Sequence, residues 1–88
     1  MTPQTIETIR EVLETEIETS AGAMDAAKRQ VEYIEHSVWR AKSEAGKFNA
    51  AQRAADARRQ LDAETGRHQR AKTALEEFNA TYPKGSET

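Results

Sequence analysis

Between residues 17 and 48 the chain carries an apolar stripe spaced alternately three and four residues apart: Ile17, Ser20, Met24, Ala27, Val31, Ile34, Val38, Ala41, Ala45 and Phe48, with Ser20 its one polar member. A mean period of 3.5 is the seam of an α-helix that packs lengthwise on another helix. Beyond Phe48 the apolar positions become Ala51, Ala54, Ala57, Leu61, His68, Ala71, Leu75, Phe78 and Tyr82, which break the first register. One straight helix would need a cause for that slip, whereas in a hairpin each arm sets its own phase. The pattern predicts an all-α antiparallel helical hairpin, coiled-coil-like, rather than one continuous helix in a parallel coiled coil.

Local signals set the expected boundaries. Thr2 before Pro3 is an N-cap followed by proline at the first helical position, where its missing N–H costs nothing. Gly46 is suited to closing a helix, and Asn49 stands three residues before Gln52 at the start of the next, so the turn is expected at residues 46–49. Pro83 and Gly85 end the second arm. The expectation is one domain over residues 1–82, with helices at about 3–45 and 50–82, and a disordered tail at 83–88. Gly22 and Gly66 read as tolerated inside helices at about 1 kcal/mol each; a break at Gly22 would give three helices instead. The Trp-x-Gly turn of small secreted helical hairpins is absent, since Trp39 and Gly46 are seven residues apart.

A chain of 88 residues buries only roughly 60% of its unfolded surface. Its core is further thinned by the second arm: between Asn49 and Thr73 the only large apolar residue is Leu61, against seven alanines at 50, 51, 54, 55, 57, 63 and 71. Small side chains let backbones approach closely but gain little from burial. The hairpin is therefore expected to complete its core as a four-helix bundle, by dimerising or by packing on another protein. The absence of cysteine removes disulfides, thiol catalysis and thiolate metal sites. No apolar run approaches the ~18 residues of a membrane span and the N-terminus lacks the pattern of a secretory signal, so a cytoplasmic protein with no membrane contact is expected.

Five groups of residues are candidates for function. Glu7, Glu11, Glu14, Glu18, Asp25 and Glu32 share one helical face, and residues 1–27 hold six acids against Arg10 alone, a local charge of −5. This stripe suits a basic partner or imitates a run of phosphates; its bland alternative is a solvated face, or one paired with Arg67, Arg70 and Lys72 across the hairpin. Trp39 falls one residue outside the seam, at the heptad position that Glu11, Glu18, Asp25 and Glu32 occupy earlier, while Tyr33 lies on the other flank. Two aromatics bordering an aliphatic seam suggest an interface, Trp39 being its anchor, unless Trp39 folds over its own helix toward Phe48.

The arginines of the second arm, Arg53, Arg58, Arg59, Arg67 and Arg70, with Lys72 and His68, are interleaved with Asp56, Asp62 and Glu64 at intrahelical pairing distance. A self-paired surface is the stronger reading, and nucleic-acid binding the weaker. Glu32 and His36 are four residues apart, but His68 is expected level with residue 26, too far along the rod to complete a metal site with them. His68 itself reads as a core-edge histidine. No serine has a recognisable base beside it, so no enzyme activity, cofactor, metal or small-molecule substrate is expected. The expected function is binding, by self-association or to another protein, as an adaptor, inhibitor or minor structural subunit. The alternatives are an acidic mimic of nucleic acid that occupies a basic protein, and weak nucleic-acid binding through the second arm.

Overall fold

The computed structural model describes residues 1–84. Two α-helices of equal length, α1 (Pro3–Arg40) and α2 (Glu44–Thr81), fold back on each other as an antiparallel hairpin 66 Å long and 14 Å across. Among the described residues there is no strand. The helix start at Thr2 is as expected: its side chain accepts from the Thr5 N–H at 3.2 Å, with Pro3 opening the first turn.

The turn lies at residues 41–43, five residues earlier than the glycine signal places it. Ala41 leaves α1 in extended conformation, and Ser43 caps α2 by accepting from the Gly46 N–H at 3.0 Å. Gly46 is thus in the first turn of α2 rather than closing α1. A Cβ there would stand 3.0 Å from the Ser43 hydroxyl, so the glycine leaves room for the cap. Helix α1 passes through Gly22 without a break, which removes the three-helix alternative. At the other end α2 stops at Thr81, followed by Tyr82 and Pro83. Of the expected tail, residues 85–88 lie outside the described residues.

With the turn in place, two complete heptad seams face each other. On α1 the stripe begins well before Ile17, with Ile6, Arg10 and Leu13 in phase, and runs through Ser20, Ala27, Val31 and Ile34 to Val38; on α2 it reads Ala50, Ala54, Ala57, Leu61, Glu64, His68, Ala71, Leu75, Phe78 and Tyr82. Every one of these residues is buried or half-buried, Tyr82 at the very end of the seam included. Phe48, expected in the first seam, belongs to α2 and is exposed, as is Ala51, displaced from the second seam by Ala50. The compact core is the set Val31, Ile34, Ala54 and Ala57, with Leu61 packed against it. Branched side chains of α1 lie on an alanine floor supplied by α2, which brings the helices close while burying little apolar area.

Candidate functional site

Trp39 sits one residue before the end of α1. It is 600° around the helix from Tyr33 at 100° per residue, which puts the two aromatics on different flanks, and neither belongs to the seam. Both are open to solvent, Trp39 at 88% and Tyr33 at 68% of full exposure. Trp39 does not fold over its own helix. It walls a shallow groove whose other sides are Glu35, Val38, Ala51, Ala54, Ala55 and Arg58, with Arg58 bonded to Glu35 across the hairpin. A second depression, lined by Phe48, Ala51, Gln52, Ala55 and Arg59, shares Ala51 and Ala55 with the first. The two form one surface, an alanine floor between an indole and a phenyl ring, and Phe48 is 63% exposed.

The acids of α1 remain largely on the surface. Glu11, Glu18, Asp25 and Glu32 lie outside the buried seam; Glu7 bonds Arg10 at 3.0 Å, and Glu14 lies 3.9 Å from Lys84. Arg67 reaches Glu16, an acid outside the stripe, with 2.7 Å and 3.3 Å hydrogen bonds. Those bonds hold the Glu16 carboxyl below its usual range and raise the Arg67 guanidinium. Around Trp39 the balance reverses: residues 36–59 carry six bases (Arg40, Lys42, Lys47, Arg53, Arg58, Arg59) against Glu44 and Asp56, a net +4. Among these, Arg59 is bonded to Asp56 within its own helix. The expected sites therefore divide, with Trp39 joining Phe48 at the turn end, Tyr33 standing apart on the other flank, and the acids running toward the open end.

Two polar residues are fully buried inside the seam, Ser20 where the repeat places it and Arg10 with no obvious mark in the sequence. Arg10 is fully buried, donating to Asn79 Oδ1 at 3.0 Å and to the Tyr82 carbonyl at the end of α2, while its guanidinium lies 5.6 Å from the centre of the Phe78 ring. Phe78 in turn packs on Tyr82 at 5.0 Å. The spacing holds the signal, since Arg10 is in phase with Ile6 and Leu13, but a charged residue does not look like a seam position. Ser20 is also fully buried; its hydroxyl donates to the Ile17 carbonyl at 3.1 Å and stands 3.0 Å from His68 Nδ1. A turn at 46–49 would put His68 level with residue 26; the earlier turn brings it to Ser20.

Among the described residues no three metal-ligating side chains converge, and no helix is long and apolar enough to cross a membrane. No family model, curated protein or solved structure matches the chain.

Proposed function

We propose that this chain acts by contact, as a helical hairpin that binds protein through the turn-end surface built from Trp39, Phe48, Ala51 and Ala55. The observation that carries this reading is the exposure of Trp39. An indole is among the most costly side chains to leave in water, and tryptophan is enriched among residues that dominate binding energy when covered. Small residues beneath it admit the side chains of an opposing helix, as alanine does in the hairpin's own seam.

The exposed area supports the same reading. The chain exposes 6376 Å², whereas a compact monomer of 9.9 kDa exposes about 5200 Å² by the usual scaling. That surplus exceeds the roughly 800 Å² each partner contributes to a standard interface. Adaptor, inhibitor and minor structural subunit are the roles that such a surface serves. Three of the five arginines of α2 lie against acids of the same chain, Arg58 with Glu35, Arg59 with Asp56 and Arg67 with Glu16, and this interleaving of acids, rather than a basic face clear of them, favours protein over nucleic acid as the partner.

The test is photocrosslinking in the producing cell, with benzoylphenylalanine replacing Phe48 in one sample and Gln52 in another. A covalent adduct to any polypeptide, its own chain included, that is lost when Trp39→Ala is added is the expected result. Unreacted chain at both positions would overturn the reading.

A further inference from the structure

We infer that the partner seated on the Trp39 face is a second copy of this chain, running antiparallel, so that the basic turn end of each copy meets the acidic half of the other's α1. The inference rests on the protein-binding reading above and names its partner.

Glu11, Glu18, Asp25, Glu32 and Trp39 are each seven residues apart, so on a helix packed with a 3.5-residue period they share one flank. The groove and the acids accordingly lie along the same long face of the rod. A two-fold contact needs this arrangement, because one patch must hold both halves of the complementarity.

The turn end carries +4 over residues 36–59, and residues 1–27 carry −5. A parallel pair would set like charge on like charge at both ends of the rod. An antiparallel pair sets opposite charge on opposite charge twice, with the Glu7, Glu11, Glu14 and Glu18 region of one copy beside Lys42, Lys47, Arg58 and Arg59 of its partner. The arginine pairs at Glu35 and Asp56 are exposed and easily rearranged.

A face 66 Å by 14 Å projects to about 900 Å², enough for the roughly 800 Å² that each partner contributes to a standard interface. A contact confined to the turn end would use a fraction of that face. Side-by-side overlap is the arrangement that covers Trp39 and reaches the required area together.

The experiment uses the full chain, whose lack of cysteine allows a single label site at exposed Ala45, changed to cysteine. Light scattering gives the mass, and electron–electron distance measurement between spin labels at position 45 gives the orientation. Expected are a mass of two chains and labels separated by about the length of the rod or more, because antiparallel copies hold their turns at opposite ends. Trp39→Ala should weaken the dimer about tenfold or more, with helicity by circular dichroism unchanged. Two charge-reversed chains, one with Glu7, Glu11, Glu14 and Glu18 changed to lysine and the other with Lys42, Lys47, Arg58 and Arg59 changed to glutamate, should each be monomeric alone and pair when mixed.

A mass other than two, a label separation much shorter than the rod, a dimer indifferent to Trp39→Ala, or reversed chains that fail to pair on mixing would each overturn the inference. Failure of the two readings is distinguishable. A monomer that still gives a Trp39-dependent photoadduct to a different polypeptide removes the second copy and keeps protein binding; a monomer with no adduct removes both.

Discussion

The two ends of the hairpin use their aromatic residues in opposite ways. At the open end Phe78 and Tyr82 pack on each other, and Phe78 lies against the buried Arg10, which ties the start of α1 to the Asn79 side chain and to the Tyr82 carbonyl just past α2. At the turn end the covalent loop already holds the helices together, and Trp39 and Phe48 face outward. An end without a loop needs its large side chains for cohesion. An end with one is free to present them.

Mutations at the two ends should therefore act differently. The largest effect is expected inside the aliphatic cluster near the turn: Ile34→Ala should cost about 3 kcal/mol in urea unfolding, because Ile34 is buried among Val31, Ala54 and Ala57. Arg10→Ala should follow at about 2 kcal/mol, through lost charge-assisted hydrogen bonds. Its signature should be local, with faster amide exchange over residues 78–82 than near the turn. Equal acceleration at both ends would show that the open end has no separate clasp.

Between the two ends, the Glu16 to Arg67 pair makes part of the stability depend on pH. The Glu16 carboxyl titrates below its ordinary value in the folded chain, so its pairing with Arg67 stabilises above that ordinary value and the contribution is lost as pH falls through the lowered one. The melting temperature of Glu16→Gln should lie below the parent's at neutral pH, by less than either change above, and the two should converge in acid. The smallest effect on stability belongs to the largest side chain. Trp39→Ala should change unfolding free energy of the monomer by less than about 0.5 kcal/mol, since the indole touches little within its own chain. A loss as large as that of Ile34→Ala would place Trp39 in the core and remove its role at the surface.

The fold is legible in the sequence because the seam is periodic: from Ile17 to Val38 each apolar position is where the repeat puts it, and the phase change in α2 announces the second arm. The turn is not, because Gly46 is a louder signal than Ser43, although serine followed by glutamate is an equally physical helix start. That displacement carries His68 past Ser20 and keeps Phe48 in a seam to which it does not belong. Trp39 is legible as an outward aromatic from its heptad position alone. Its neighbours are not, since which alanines of α2 lie under it depends on where the chain turns.

The loop of residues 41–43 contains neither glycine nor proline, and the three-four spacing of α1 runs on through Ala41, Ala45 and Phe48. No steric prohibition halts the first helix there. What turns the chain is one serine hydroxyl, of the kind worth about 1 kcal/mol as a cap, together with the packing of the returning arm on α1. The topology of this molecule is thus a free-energy preference rather than a rule of backbone geometry: nothing in the covalent chain at residues 41–43 compels the reversal, and what a straight helix would forfeit is the meeting of two seams whose registers differ.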